Sequence, residues 1–230
     1  MSKPDRSTPP SSAGALVIGV LASGRGSNLQ SIIDAIEQGK LAARIGLVLS
    51  NKKEAQALER AERHHLPTLF LDPLLYSDRS QYDAAIVEAL QSHRVELVVL
   101  AGYMRLLTTV LVHPYQDRII NIHPSLLPAF PGLHAHRQAL AYGAKVSGCT
   151  IHFVDEKVDH GPIIAQAAVP VLEEDDEQAL SERILIEEHR LLPKVLQLYA
   201  DGKLRIDGRK VRIEGETSAE DGPIRLQVNR

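Results

Sequence analysis

The feature that most constrains the fold is a series of short, almost unbroken apolar runs that alternate with helical patterns. Runs of strand length stand at "ALVIGVLA" (15–22), "RIGLVLS" (44–50), "PTLFL" (67–71), "VELVVLAG" (95–102) and "RIINIH" (118–123). Such runs are typical of strands buried on both faces, as in a parallel sheet. Because amphipathic helical patterns separate them, the sequence predicts a doubly wound α/β sheet with right-handed crossovers and helices on both faces.

The second half of the chain predicts a departure from a purely parallel sheet. "VSGCTIHFV" (146–154) and "IIAQAAVPV" (163–171) are joined only by "DEKVDHGP" (155–162). Since no helix fits there, these two strands should pair antiparallel and make the sheet mixed. "LRIDGRKVRI" (204–213) predicts a hairpin that turns at residues 207–208. Helices are predicted near residues 27–39, 53–64, 79–92, 108–111, 134–143 and 176–200.

Length and composition indicate an ordinary globular protein. The 230 residues fit one large domain or two small ones, and 44% are apolar and 24% charged. A net charge of −3 argues against a general nucleic-acid binder, which is normally basic. The only cysteine, Cys149, excludes an intrachain disulfide framework and a thiolate zinc cluster, and suits a cytoplasmic location. No apolar run reaches the roughly 18 residues that span a bilayer, so no membrane partner is expected.

The two ends of the chain differ in composition from its middle. Residues 1–14 are rich in Ser and Pro and lack the apolar segment of a signal peptide, which predicts a disordered leader. Hydrophobic periodicity is lost from residue 214 onward, which predicts a mobile tail over residues 214–230. One domain is therefore predicted over residues 15–213.

The turn "SGRGSN" (23–28) between the first strand and the first helix predicts an anion site. Gly24 and Gly26 allow the backbone to turn tightly. The N–H groups of Gly26, Ser27 and Asn28 then point outward at a helix N-terminus, where they suit a phosphate. The stretch lacks both the G-K-[ST] of a P-loop and the third glycine of the dinucleotide fingerprint. A tight turn capped by Ser27 or Asn28 explains it equally well.

The stretch "NIHP" (121–124) delivers two polar side chains to the end of the fifth strand. Asn121 and His123 alternate with apolar residues, so both point to one side of the strand. Ligands of open α/β sheets bind beyond such carboxyl ends. An amide donor beside an imidazole suits the stabilisation of a developing oxyanion. The alternative is an Asn and a His that only satisfy backbone groups at the strand end.

The loop "DEKVDHGP" places several carboxylates between the two antiparallel strands. A carboxylate from this loop that reaches His123 would favour the imidazolium and raise the pKa of that histidine. Any of the acids in the loop fits this role, and a solvated acidic turn is the alternative.

Ten histidines raise the question of a metal site, and His134 and His136 form an H-x-H pair. Neither this pair nor His123, His152 and His160 shows a recognised metal-ligand spacing. No metal is therefore expected.

Taken together, these segments resemble one family. "VLASGRGSNLQSII", "LAGYMRLL", "NIHPSLLPAFPGLHAHRQAL", "GCTIHFVDEKVDHGPIIAQ" and a later helix with "EEH" occur in the order typical of phosphoribosylglycinamide formyltransferases. The resemblance covers about residues 15–213 and implies the Rossmann-like formyltransferase fold, an α/β fold with a mostly parallel mixed sheet. The N-I-H…S-L-L-P element is shared by formyl-folate enzymes, whereas "FPGLHAHRQAL" and "SGRGSN" look particular to this branch.

The resemblance also implies site residues. The implied catalytic residues are Asn121, His123 and Asp159. The implied phosphate loop is Gly26, Ser27 and Asn28, and the implied ribose and glycinamide contacts are Gly102, Pro124 and Glu188. The implied folate-binding residues are Arg79, Met104, Arg105, Leu106, Leu107 and again Asn121. Arg25 departs from the family, in which a smaller polar residue is familiar at that position.

The reaction implied by the resemblance is formyl transfer from 10-formyltetrahydrofolate, a co-substrate, to the glycine amine of glycinamide ribonucleotide, in purine synthesis. Asn121 and protonated His123 are expected to hydrogen-bond the oxyanion, while Asp159 keeps the imidazole protonated and oriented. No metal is required. The implied partners are these two small molecules, without nucleic acid or membrane, and the protein is expected to be a monomer or a homodimer.

Other formyl-folate enzymes and a non-catalytic module are the alternatives. Methionyl-tRNA formyltransferase carries an additional C-terminal domain, and formyltetrahydrofolate hydrolase an additional N-terminal domain. The segments outside residues 15–213 are expected to be too short for either. A non-catalytic nucleotide-binding module would explain the phosphate loop and the sheet, but not Asn121, His123 and Asp159 together.

Overall fold

The computed structural model describes residues 6–7 and 14–215, which form a ten-stranded sheet with helices on both faces. The strands are β1 (Arg6–Ser7), β2 (Leu16–Leu21), β3 (Ala43–Ser50), β4 (Thr68–Phe70), β5 (Leu97–Leu100), β6 (Ile119–His123), β7 (Val146–Phe153), β8 (Ile163–Pro170), β9 (Leu204–Asp207) and β10 (Lys210–Ile213). The helices are α1 (Ser27–Glu37), α2 (Gln56–Arg63), α3 (Arg79–Ser92), α4 (Thr109–Val112), α5 (Ala135–Tyr142) and α6 (Glu177–Ala200), with a 3₁₀ turn at Pro73–Leu75.

The first five predicted strands form the parallel half of the sheet. β4, β3, β2, β5 and β6 lie side by side in that order, each parallel to its neighbours. All six residues of β2 are buried, as expected for a strand covered on both faces. Side chains of α1, α2 and α6 belong to the core on one face, and those of α3 and α4 to the core on the other. The predicted doubly wound α/β fold is confirmed.

The strand order creates a crevice where a ligand can bind. From β2 the chain proceeds outward through β3 to β4, whereas from β5 it proceeds the other way to β6. β2 and β5 are neighbours, so the loops that follow them diverge to opposite faces of the sheet. This switch point is the usual place for a binding site in an open α/β sheet.

The second half of the sheet is mainly antiparallel, as predicted. β7 pairs antiparallel with both β6 and β8, and this register places Asn121 opposite His152. The hairpin of β9 and β10 joins the sheet through a parallel contact between β10 and β8. Its predicted turn at residues 207–208 is wrong by one residue, because Asp207 still pairs with Lys210. The turn therefore begins at Gly208, whose positive φ of 60° suits a tight hairpin.

A second boundary also differs from the prediction. The helix predicted from residue 53 begins at Gln56, because residues 51–55 form a turn at the end of β3. The Lys52 N–H donates to the Ser50 hydroxyl, and the Ala55 N–H donates to the Lys52 carbonyl. Ala55 is extended and occupies the N-cap position of α2, without a side-chain hydrogen bond to the helix.

The predictions for the ends of the chain fall largely outside the described residues. Within the predicted leader, Arg6–Ser7 pairs antiparallel with β9, so the prediction of disorder is wrong for these two residues. Within the predicted tail, the Glu214 N–H donates to the Lys203 carbonyl at 2.8 Å, which attaches Glu214 to the hairpin. No helix among the described residues is long and apolar enough to cross a bilayer.

Candidate active site

A cavity of about 960 Å³ lies at the carboxyl ends of β2, β5 and β6, at the switch point of the sheet. It is lined by every residue to which the resemblance assigns a role. These are Gly26, Ser27, Asn28, Arg79, Gly102, Met104, Arg105, Leu106, Leu107, Asn121, His123, Pro124, Asp159 and Glu188. The structure therefore brings together distant segments, such as Asn28 and Glu188, which are 160 residues apart in the chain.

The turn after β2 has the geometry of an anion-binding loop. Gly26 is the N-cap of α1, with φ 71° and ψ 27°, and no side chain among the described residues caps the helix. The prediction that Ser27 or Asn28 caps this turn is therefore wrong. Asn28 instead turns its side chain inward, and its Nδ2 donates to Glu188 Oε2 at 2.7 Å. The backbone N–H groups at the start of α1 are thus left for a ligand.

Helix α2 supports this loop from behind. The Ala57 N–H donates to the Gly24 carbonyl at 3.1 Å, and Arg60 Nε donates to the Arg25 carbonyl at 2.8 Å. A Cβ at Gly26 would lie 2.7 Å from the Ala57 Cα. Only glycine fits this close approach, and its positive φ is also one that other residues rarely adopt.

Asn121, His123 and Asp159 form the polar wall of the cavity. His123 Nδ1 lies 3.4 Å from Asp159 Oδ2, and Asn121 Nδ2 donates to Asp159 Oδ1 at 3.4 Å. His123 Nε2–H donates to the Phe130 carbonyl at 2.9 Å. The Gly132 N–H donates to Asp159 Oδ2 at 2.7 Å, which joins the loop after β6 to the loop after β7. Asp159 is thus the acid of "DEKVDHGP" that reaches the histidine.

Asp159 raises the pKa of His123 as expected, but the pKa of His123 in the free protein still lies below its ordinary value. Burial disfavours the imidazolium and lowers the pKa of His123 below its ordinary value. The hydrogen bond to Phe130 and the charge of Asp159 act in the opposite direction but are outweighed. Both ring nitrogens nevertheless face oxygen acceptors, so a proton taken up at His123 finds a partner at either nitrogen.

Asp159 is kept ionised by its neighbours. Burial opposes its ionisation, but the neighbouring His152 imidazole, the hydrogen bond from the Gly132 N–H and the charge of His123 outweigh burial and lower the pKa of Asp159. The loop that carries Asp159 is tightly folded, with φ 48° at Asp159 itself. At Gly161 a Cβ would lie 1.8 Å from the Phe153 carbonyl oxygen, so the loop can return to β8 only through glycine.

His152 is a site residue that sequence reasoning treated only as a metal candidate. It is 1% exposed, and its Nδ1–H donates to the Phe153 carbonyl at 2.8 Å. Its Nε2 is therefore free to accept the Asn121 amide N–H at 3.1 Å, which fixes the orientation of that amide. The signal was present in the pairing of the two predicted strands, because an antiparallel register brings His152 opposite Asn121.

The segment after β5 supplies the apolar side of the cavity. Met104 and Leu106 are 59% and 53% exposed, which is unusual for large apolar side chains and is typical of a binding surface. The Arg105 guanidinium stacks over the Tyr82 ring at 4.8 Å. Arg79 begins α3 at the same side of the cavity. A flat ring system with an anionic tail fits this combination of apolar and cationic groups.

Sequence reasoning missed the residue that holds the far end of this segment. Asp83 of α3 is 2% exposed, and its Oδ2 accepts the Thr108 N–H at 2.6 Å and the Thr108 hydroxyl at 2.8 Å. Burial raises the pKa of Asp83, although the Thr108 hydrogen bonds oppose that rise. The signal was an acidic residue on the buried face of a predicted helix, next to Tyr82.

Glu188 is a carboxylic acid buried beside the phosphate loop. It is 6% exposed, and burial raises its pKa to about 7 although the hydrogen bond from Asn28 opposes the rise. A carboxyl group that lies in a cavity and titrates near neutral pH is typical of a functional site. The described residues contain no group of three or more His, Cys, Asp and Glu placed to hold a metal ion.

Comparison with known proteins identifies the family. The formyl transferase family model matches residues 16–196. The chain is 41% identical over 203 residues to the phosphoribosylglycinamide formyltransferase of Escherichia coli, covering 88% of this chain and 96% of that protein. It is 45% identical over 189 residues to the human trifunctional purine biosynthetic protein adenosine-3, covering 82% of this chain. The chain spans only 19% of the length of that human relative.

A solved structure agrees with these sequence matches. The crystal structure of glycinamide ribonucleotide transformylase 1 from Symbiobacterium toebii superposes with a TM-score of 0.86 at 52% identity, covering 88% of this chain and 95% of that one. The similarity therefore extends from the sequence motifs to the fold of most of the chain. The chain belongs to the formyl transferase family.

Proposed function

We propose that this protein transfers the formyl group of 10-formyltetrahydrofolate to the glycine amine of glycinamide ribonucleotide, in de novo purine synthesis. The observation that carries the proposal is the convergence of Asn121, His123 and Asp159 on one wall of a cavity, between an anion loop and an apolar, cationic surface. The names of the Escherichia coli and Symbiobacterium toebii relatives support the same substrate. We further propose a cytoplasmic enzyme that acts as a monomer or homodimer.

The two halves of the cavity suit the two substrates. The backbone N–H groups of Gly26, Ser27 and Asn28 bind the phosphate at the N-terminus of α1. Glu188 accepts hydrogen bonds from the ribose hydroxyls. Gly102 and Pro124 lie against the glycinamide, so its amine points towards Asn121 and His123.

The folate occupies the opposite half. Its ring system packs on the segment from Met104 to Leu107, and its carboxylates meet Arg79 and Arg105. This arrangement places the formyl group beside the amine, and such proximity supplies a large part of the rate enhancement.

The chemistry follows from the polar wall. The amine attacks the formyl carbon and produces a tetrahedral intermediate with a negative oxygen. The Asn121 amide hydrogen-bonds that oxygen by giving up its 3.4 Å hydrogen bond to Asp159. The His123 N–H likewise exchanges the Phe130 carbonyl for this stronger acceptor. The attacking nitrogen loses its extra proton through water to Asp159. The oxyanion and Asp159 together favour a proton on His123, which His123 then donates to the departing folate nitrogen.

A spectroscopic assay tests the proposal. The purified protein is mixed with 10-formyltetrahydrofolate, and release of tetrahydrofolate is followed with and without glycinamide ribonucleotide. Release that depends on the acceptor supports the proposal. Release without the acceptor indicates a hydrolase, and no release with both substrates indicates a binding module without catalytic activity.

Replacement of Gly26 by Ala is expected to raise KM for glycinamide ribonucleotide by more than about 10-fold. The added Cβ would lie 2.7 Å from the Ala57 Cα, at a backbone φ of 71°, so the anion loop must move. Gly39→Ala is the matched control, because its φ is 67° but its Cβ would meet nothing within 4 Å. Steady-state kinetics of both variants separate two effects: Gly39→Ala carries only the backbone strain of a positive φ, whereas Gly26→Ala carries the same strain and the clash with Ala57. An unchanged KM in Gly26→Ala contradicts the assignment of the loop.

A chelator is expected to leave formyl transfer unchanged. The proposed oxyanion donors are the side chains of Asn121 and His123, and no metal ligand set is assembled among the described residues. Activity is measured after prolonged dialysis against EDTA and again after addition of Zn²⁺ or Mg²⁺. If EDTA abolishes activity and a divalent cation restores it, the reaction requires a metal ion and the metal-free mechanism is wrong.

A further inference from the structure

Ser23 joins the two halves of the cavity but does not line it. It lies two residues after the end of β2, is 4% exposed and precedes Gly24 and Gly26 of the anion loop. Its backbone N–H donates to the Gly102 carbonyl at 3.0 Å. Its hydroxyl accepts the Met104 N–H at 2.8 Å, at the start of the apolar folate surface. One buried side chain therefore contacts the segment that follows β5 while its own backbone continues into the phosphate loop.

The same hydroxyl also reaches a third strand. Ser23 Oγ–H donates to Asn51 Oδ1 at 2.6 Å, and Asn51 follows the last residue of β3. β5, β2 and β3 are neighbours in the sheet. The chain of hydrogen bonds from Met104 through Ser23 to Asn51 thus ties together the segments that follow three adjacent strands, at the edge of the sheet where the cavity lies.

Only a hydroxyl can hold this position. A hydroxyl donates one hydrogen bond and accepts others, so Ser23 can serve the Asn51 amide oxygen and the Met104 N–H at once. Alanine would leave both of these partly buried partners unsatisfied. Threonine retains the hydroxyl, whereas a thiol is a weak donor and a weak acceptor.

We propose that Ser23 is a positioning residue that sets the separation between the phosphate half and the folate half of the cavity. The inference rests on the proposed function, because the two halves matter together only when two substrates react. Ser23 contacts neither substrate. Its hydroxyl holds the segment from Met104 to Leu107, on which the folate packs, against the start of the phosphate loop. The position of this segment sets the distance between the amine and the formyl carbon. A misplacement of about 1 Å is enough to cost on the order of 10²-fold in rate.

The test is the split between binding and turnover in Ser23→Ala. We expect kcat to fall by about 10-fold or more, because the reacting atoms are misplaced, while the Kd of each substrate measured alone changes by less than about 3-fold. Ser23→Thr, which keeps the hydroxyl, is expected to recover most of kcat. Ile206→Val in β9, far from the cavity, controls for a general loss of stability. A kcat of Ser23→Ala within about 2-fold of the wild-type value overturns the inference.

A double-mutant cycle with Asn51 keeps the test informative if threonine does not fit. Because Asn51 acts through the Ser23 hydroxyl, Asn51→Ala is expected to lower kcat when Ser23 is present and to add little when Ser23 is already Ala. Independent, additive effects of the two substitutions overturn the inference.

Hydrogen exchange separates this inference from the proposed function. In Ser23→Ala, the amides of residues 102–108 are expected to exchange faster than in the wild type, with Ile206→Val unchanged there. If the wild-type protein transfers no formyl group, the proposed function is disproved. Faster exchange of these amides in Ser23→Ala would still support the coupling of the two segments. Unchanged exchange at the Met104 amide would disprove the coupling itself.

Discussion

His123→Ala is expected to lower the rate of formyl transfer by at least about 10²–10³-fold while leaving the fold intact. The substitution removes a donor to the oxyanion and the proton source for the departing folate nitrogen. The side chain is 5% exposed, so some loss of stability accompanies the change. The measurement is steady-state kinetics with both substrates, together with circular dichroism to verify the fold. His93→Ala, at the C-cap of α3, is the control. Turnover near the wild-type value in His123→Ala would disprove the mechanism.

The companion variant Asp159→Asn tests how the histidine is tuned. The charge of Asp159 raises the pKa of His123, although burial keeps that pKa below its ordinary value. Removal of the charge should therefore lower the pKa of His123 further. Since the proposed step needs the imidazolium, the rate falls as pH rises through this pKa, and that limb of the pH–rate profile should move to lower pH in Asp159→Asn. A limb that stays in place, or moves to higher pH, contradicts the role of Asp159.

Glu188→Gln is expected to stabilise the free protein above neutral pH and to weaken substrate binding. Burial raises the pKa of Glu188 from 4.5 to about 7, so the folded protein holds a proton that the unfolded chain has lost. Stability therefore falls as pH rises from about 4.5 to about 7, and the full cost remains above that range. At 1.36 kcal/mol per unit, the cost is of the order of 3 kcal/mol. Glutamine carries no charge, so Glu188→Gln avoids the cost of burying an ionised carboxylate.

Denaturant unfolding at pH 5 and pH 8.5 measures this effect. We expect the two proteins to differ little at pH 5 and Glu188→Gln to unfold at higher denaturant concentration at pH 8.5. Glu182→Gln, on the exposed side of the same helix, is the control and should show no such pH dependence. The KM of Glu188→Gln for glycinamide ribonucleotide should rise by about 10-fold or more, because a hydrogen bond to a charged group is lost. If the stability difference between Glu188→Gln and the wild type is the same at both pH values, burial does not raise the pKa of Glu188 as stated.

The sequence predicted the fold because its signals were local and consistent. The apolar runs of β2, β3 and β5 have the length and composition of strands buried on both faces, and the patterns between them are helical. The short loop between β7 and β8 left antiparallel pairing as the only solution. The errors fell at boundaries, where turn chemistry decides, as at Gly208 and at residues 51–55.

The site was predictable where its residues stand in motifs and less so where they stand alone. At the end of β6, the alternation of polar and apolar residues predicted that Asn121 and His123 point to one side of the strand. Their acid partner, Asp159, was identified only through the family resemblance. His152 and Ser23 lie within the segments that resemble the family, but no motif gives them a role, and their contacts follow from strand register and loop packing. The direction of the His123 pKa shift was also beyond the sequence, because it depends on how deeply the imidazole is buried relative to one carboxylate.

Transfer of an isotopic label tests the central claim most directly. The protein is given 10-formyltetrahydrofolate with ¹³C in the formyl group, together with glycinamide ribonucleotide, and the products are followed by NMR spectroscopy. The account predicts that the label appears as an amide on the glycine nitrogen, in equal amount to the tetrahydrofolate released. Label that appears as free formate, or that remains on the folate, would contradict it.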